Sequence, residues 1–266
     1  MSLEKLLDVS PRTEAAHRLQ RVLVAYHHFR QDKISHPCYP DLPALSAWQI
    51  ERLKTTHRDL YSDPAYHTAL HFLIDELYAP KDFSQRDADL ERVFPKMVKL
   101  LPDAVLDLVA DLVELNHLTQ KLDLDLLSRL TAETGIDALD ALTWAQAYRA
   151  CDNRPLREQQ LRLIHDAGVA LERYVHSHVL RWTLSATRGL AESKGLGELH
   201  QFLQRGFEAF STLQNVPVLL DEIQRRETAI MVHLFECDPA PDWPQRPHAP
   251  DSGIRLQAPE LHPDAG

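Results

Sequence analysis

Glycine is scarce in this chain, 8 of 266 residues. Tight hairpin turns and phosphate-cradling loops both depend on glycine, so neither a hairpin-rich sheet nor a nucleotide loop is favoured. Cysteine is scarcer still. Cys38, Cys151 and Cys237 lie far apart, are odd in number and form no CxxC pair. That argues against a disulfide framework or a zinc knuckle and points to a reducing cytoplasm. Long apolar runs are missing too. The longest uncharged stretch, Ala209 to Leu220, has 12 residues, where a membrane span needs roughly 18 or more. The opening MSLEKLLDVSPRTE carries charges where a signal peptide keeps an apolar core. No HExxH, nucleophile elbow or Gly-rich phosphate loop is present. A soluble chain with no membrane partner is expected, and the sequence names no reaction, substrate or cofactor.

Charge excludes a further class. The net charge is −10 and the pI about 5.8, so a nucleic-acid partner is not expected over most of the surface. What remains is an ordinary globular balance, 44% apolar and 26% charged, rich in Leu and Ala. This favours helices over sheets. We expect an all-α fold, an irregular multi-helix bundle of about eight helices over residues 1–237, as one domain. Residues 238–266 hold seven of the 17 prolines and read as a disordered C-terminal tail.

The chain is expected to organise around one helix, 63–78, and the turn after it, together Asp63 to Asp89. Tyr66, Ala69, Leu70, Leu73 and Leu77 form one apolar stripe at helical spacing, and Phe72, Ile74 and Tyr78 add a second. A helix apolar nearly all round packs on several sides. Asp63 is its expected cap and Pro80 its stop. A helix from about Pro43 to Tyr61 precedes it. After it, Ser84 starts a helix that Pro95 should kink or break. Another opens at Pro102 with a seam of Val105, Leu108, Leu112, Leu115, Thr119, Leu122 and Leu126 and a candidate break near Asp123. A long helix is expected from Pro155 to Ser193, and a last one from Glu198 that bends at Pro217.

Phe72-Leu73-Ile74-Asp75-Glu76-Leu77-Tyr78 resembles the signature of the FFLEELY-motif family of uncharacterised bacterial proteins. It departs at the second to fourth positions, where Leu73, Ile74 and Asp75 stand for Phe, Leu and Glu. The flanks KDFSQRDADLERVFPKMVKLLPD at 81–103, GLGELHQFLQRGFEAF at 195–210 and IQRRE at 223–227 share the likeness. The resemblance implies an all-helical fold and carries no activity with it.

Polar groups placed on apolar faces are the candidate site. His67, His71 and Asp75 are four residues apart, and four-residue spacing brings side chains to one helix face. Glu76 could serve as a bundle carboxylate. His178 and Glu227 each interrupt an apolar seam. A buried carboxylate is costly unless paired, so Glu227 needs a partner from another helix, expected on 63–78 or near His178. The ordinary reading of these groups is hydrogen bonding that fixes helix register. Glu114 and His117, and Glu14 and His17, form Glu-x-x-His strings, but Glu114 shares a face with Asp107, Asp111 and Lys121 that reads as solvated. His165, Glu172 and His176 read as a half-exposed flank.

The favoured function is a cytoplasmic helical binding or interaction protein of unknown partner. The alternative is a non-haem di-iron or di-manganese enzyme with His71, Glu76, His178 and Glu227 as metal ligands, since bundles build such sites from facing carboxylates and histidines. A haem- or small-molecule-binding helical protein is the third reading.

Overall fold

In the computed structural model, the described residues are 3–78, 84–133, 135–175, 194, 196–211, 213 and 215–236. Among them there is no strand. The helices are α1 (Leu3–Leu7), α2 (Glu14–Ile34), α3 (Leu42–Thr56), α4 (Arg58–Ser62), α5 (His67–Leu73), α6 (Ser84–Leu100), α7 (Asp103–Glu133), α8 (Ala141–Ala150), α9 (Arg154–Val175), α10 (Gly197–Ser211) and α11 (Val216–Glu236). The fold is all-α. Residues 238–266, expected as a tail, lie outside the described residues, as does the expected continuation of α9 from 176 to 193.

The organising element is α7, not 63–78. Its 31 residues run through Asp123 without a break, because nothing between Asp103 and Glu133 is Gly or Pro. It packs against α2, α9, α8 and α3. Gly135 ends the segment at φ 81°, and its N–H bonds the Leu130 carbonyl at 2.9 Å. Only glycine takes that conformation without strain. Asp140 then starts α8 with a reciprocal capping box through Thr143.

Several boundaries differ from expectation. The helix expected over 43–61 is split at His57 into α3 and α4. Asp63 does not cap α5: its carboxylate accepts from the Ala65 N–H at 2.8 Å in a local turn, and the helix begins at His67. Its end is a widened π-type turn, Ile74–Tyr78. α6 continues through Pro95, beside a fully buried Phe94, so packing outweighs the roughly 3 kcal/mol a mid-helix proline costs. Pro217 does not bend a helix but sits at the second position of α11, where its missing N–H is harmless.

Three apolar clusters hold the bundle. Trp48 and Trp144 stack at 5.1 Å and gather Leu45, Leu126, Leu127, Leu130 and Leu234 from α3, α7 and α11. Leu6, Leu19, Leu23, Phe94 and Leu106 join α1, α2, α6 and α7. Leu70, Phe210, Leu213, Leu219 and Leu220 join α5, α10 and α11. Gly168 lets α9 and α11 close up, since a Cβ there would meet Leu220 at 2.5 Å. Leu142 of α8 is 52% exposed.

Candidate functional site

A cavity of about 620 Å³ reaches all three clusters. Among the described residues its lining divides by chemistry. Leu90, Val93 and Met97 of α6, Val105, Leu108 and Leu112 of α7, and Leu199, Phe202 and Leu203 of α10 make apolar walls. Gln49, Arg52, His57, Asp123, Arg157 and Glu227 make a polar one. The division follows α7. Its lining residues are apolar from Val105 to Leu115 and then become Asn116, Thr119 and Asp123.

Glu227 stands at the centre of the polar wall, its side chain 12% exposed. Arg52 donates to both carboxylate oxygens, Nη1 to Oε1 at 3.1 Å and Nη2 to Oε2 at 2.8 Å. His57 Nε2 lies 2.8 Å from Oε1. Burial alone would raise the Glu227 carboxyl. The charge of Arg52 and the hydrogen bonds from His57 and Arg52 outweigh it and hold the group down at about 2. His57 Nδ1 is buried without a hydrogen-bond partner. The Arg52 guanidinium also lies over the Trp144 ring, 5.7 Å from its centroid. Beside this triad, Gln49 donates to Asp123 at 3.0 Å and Gln160 to Thr119 at 2.8 Å. Arg157 lies over the Tyr148 ring at 4.6 Å. Burial pushes the Asp123 carboxyl up, against the pull of Gln49, Arg157 and Lys33.

A second polar knot sits where α2, α6 and α7 meet. The Tyr26 hydroxyl donates to Asp87 at 2.6 Å and accepts from Asn116 at 2.7 Å and Gln120 at 2.9 Å. Arg86 pairs with Asp87, and Arg30 with Glu91. Burial first, then the Asp87 charge, raises the Tyr26 hydroxyl well above its ordinary range, so it remains a neutral donor.

Of the candidate residues read from sequence, the structure brings His67 and His71 together, their ring centroids 4.3 Å apart beside Tyr61. Glu227's partners come from α3 and the residue after it, not from 63–78 as expected, and His178 lies outside the described residues. His71 Nε2 is 2.6 Å from the Tyr61 hydroxyl, and His67 Nδ1 is 3.0 Å from the Tyr61 carbonyl. Asp75 is exposed. Glu76 is 7% exposed and pairs with Arg205 at 3.0 Å. Among the described residues, no three of His, Cys, Asp and Glu are grouped so as to hold a metal ion. The stripe at Glu114 is not simply solvated. Asp111 and Glu114 hold Arg18 of α2 at 2.6 and 2.9 Å, and His117 packs on Phe29 at 4.7 Å. His165 bridges to Asp221 of α11 at 2.8 Å; Glu172 is half-buried and His176 lies outside the described residues.

Arg52, His57 and Arg157 are the site residues that sequence reading missed. The signal was there. Arg52 lies four residues beyond Trp48 and seven beyond Leu45, on the inward face of α3, and His57 follows Leu53 by four. Arg157 precedes Leu161 by four and Ile164 by seven on α9. Each is a charged or polar residue continuing an apolar seam, the same pattern that singled out Glu227.

No helix among the described residues is long and apolar enough to cross a membrane. No curated protein matches the chain, and no solved structure matches it. A family model does match, over residues 28–241, which takes in α3 through α11 and the last third of α2. The chain therefore belongs to the family described as a domain of unknown function, DUF8198.

Proposed function

We propose that this protein binds an elongated, largely apolar small molecule in the cavity of its helical bundle. The observation that carries the reading is the cavity itself. Its volume of about 620 Å³ falls within the roughly 300–1,000 Å³ of small-molecule pockets. Its walls are apolar along α6 from Leu90 to Met97, along α10 and along the first half of α7, with polar groups at Glu227, Arg52 and Arg157 and a second polar edge at Tyr26, Arg86 and Asp87. Ligand sites are built this way, apolar for affinity and polar for orientation. Packed interiors otherwise leave few voids larger than a water molecule.

The reading narrows the broader expectation of a helical binding protein and includes a cytoplasmic setting. The FFLEELY resemblance of 72–78, with the bacterial origin it brings, belongs to the same proposal. The dimetal alternative has less to support it, because the Glu227 carboxylate already accepts from Arg52 and His57.

Nile red, a neutral apolar dye, should bind the full chain with about one site and a blue-shifted emission. Val105→Trp places a large ring in the apolar end and should weaken that binding at least tenfold while the far-UV circular dichroism stays helical. Unchanged binding in Val105→Trp, or none in the wild type, would refute the cavity as a ligand site.

A further inference from the structure

Buried arginines in this bundle face carboxylates. Arg30 faces Glu91, Arg52 faces Glu227 and Arg86 faces Asp87. Arg157 does not. It is 5% exposed and lines the polar end of the cavity. One hydrogen bond is made, from Nη2 to the Leu122 carbonyl at 3.3 Å. Nε is buried with no partner. No carboxylate among the described residues forms an ion pair with it. The Asp123 carboxylate, on the same wall, takes its hydrogen bond from Gln49 instead. Glu227 is held by Arg52 and His57. A guanidinium stays protonated in any protein environment, so this end of the cavity holds a cation that no carboxylate among the described residues ion-pairs.

We infer that Arg157 is the anchor for the carboxylate of a long-chain monocarboxylic acid whose hydrocarbon body runs along the apolar walls toward Val105. The inference rests on the cavity being a ligand site and names the class of ligand it takes. Three features favour it. The guanidinium is fixed against the Tyr148 ring at 4.6 Å, with Nη2 on the Leu122 carbonyl and Nη1 making no hydrogen bond among the described residues, and a guanidinium is the side chain that pairs best with a carboxylate. One unmatched cation suits one negative charge, and the Glu227 carboxylate on the same wall disfavours a dianion such as a phosphate ester. The lining of α7 from Val105 to Asp123 extends about 27 Å at 1.5 Å per residue, a length that suits a chain rather than a compact ring.

The test is displacement of Nile red from the full chain by laurate, dodecanol and dodecyl phosphate, which share one hydrocarbon body. Laurate should bind at least tenfold more tightly than dodecanol. In Arg157→Gln that preference should vanish, with laurate weakened at least tenfold more than dodecanol. Arg157→Lys should keep part of it. Equal binding of laurate and dodecanol to the wild type would overturn the anchor while leaving the cavity reading intact. Tighter binding of dodecyl phosphate than laurate would overturn the carboxylate assignment. Failure of all three to displace the dye would point to the cavity reading itself as wrong. The wild-type comparison needs no variant, so it decides the matter even if Arg157→Gln does not fold.

Discussion

The two halves of α7 are made of the same residues and behave differently. From Leu122 to Leu130 the leucines are sealed: Leu122, Leu126 and Leu127 have no exposure and Leu130 has 1%. In the N-terminal half Leu106 and Leu108 are buried too, at 1% and 6%, but Leu112 is 36% exposed, and Leu108 and Leu112 line the cavity. Leucine periodicity is not the difference. The C-terminal half is wedged by the stacked Trp48 and Trp144 and by α8 and α11, whereas the N-terminal half shares its inner face with a void. The C-terminal half is sealed on its inner face, whereas the N-terminal half packs Leu106, Ala110 and Val113 into a core cluster and also supplies a cavity wall. Seam patterns report only that a face is apolar, not whether a neighbour fills it.

The largest expected effect breaks the polar wall that stands between the two halves. Glu227→Ala leaves the Arg52 guanidinium buried without its carboxylate, and should cost roughly 3–5 kcal/mol in urea unfolding. Glu227→Gln retains shape and part of the hydrogen bonding and should cost less. A double-mutant cycle with Arg52→Met should show strong coupling, the double variant being less destabilised than the two single losses summed. Additive losses would mean that the pair is not the source of the cost.

The comparison is sharpened most directly by the same substitution in both halves of α7. Leu126→Ala empties a sealed position and should cost about 3 kcal/mol, the lower part of the range for core leucines. Leu112→Ala removes atoms that already border open space and should cost less than about 1 kcal/mol. Equal losses would show that the N-terminal half is as tightly packed as the C-terminal half.

Acid should find the polar wall before it finds the sealed core. Glu227 sits at about 2 when folded, against an ordinary 4.5, so the unfolded state binds the proton more readily. The stabilisation is fully present above about pH 4.5 and is lost as pH falls toward 2. A shift of that size corresponds to roughly 3 kcal/mol. Asp123 acts in the opposite sense, because its raised carboxyl favours folding when protonated. The measurement is urea unfolding between pH 6 and pH 3. Glu227→Gln should flatten the decline, and an unchanged slope would assign the acid sensitivity to other carboxylates.

How much of this was legible in sequence follows from which interactions are local. Helix content, the Ser84 start, the Gly135 stop and the run of α7 seam leucines are set by residues within a turn or two of each other. Glu227 was legible as a buried acid because Ile223 and Ile230 bracket it. Its partner was not, because Arg52 is 175 positions away and nothing in one sequence pairs two seams across that separation. The 63–78 stretch misled for the opposite reason. Its doubled apolar stripe suggested a central helix, but after seven residues α5 passes into a wider turn that carries Glu76 to Arg205. The cavity left no local trace, since a seam facing a void and a seam facing a neighbour have the same spacing.

The smallest effect belongs to the outer side of α7, where the comparison between halves should disappear. Arg18 of α2 reaches Asp107, Asp111 and Glu114 at 3.8, 2.6 and 2.9 Å, with its own side chain 31% exposed. These three acids repeat at helical spacing on one face, and without Arg18 they repel one another. Thr13 adds a hydrogen bond to Asp103 at 2.7 Å along the same contact. Exposed pairs are worth roughly 0.2–1 kcal/mol each because water screens them and ordering the side chains costs entropy. Arg18→Ala should therefore cost about 1 kcal/mol at low salt. The charges are near the surface, so salt should erode the loss, to about half at an ionic strength near 1 M, where the screening length falls to about 3 Å. Buried pairs are screened much less, so Glu227→Ala should show little salt dependence. If the Arg18→Ala loss were large and insensitive to salt, the α2–α7 contact would have to be a sealed interface, and the outer face of α7 would belong with its C-terminal half rather than with solvent.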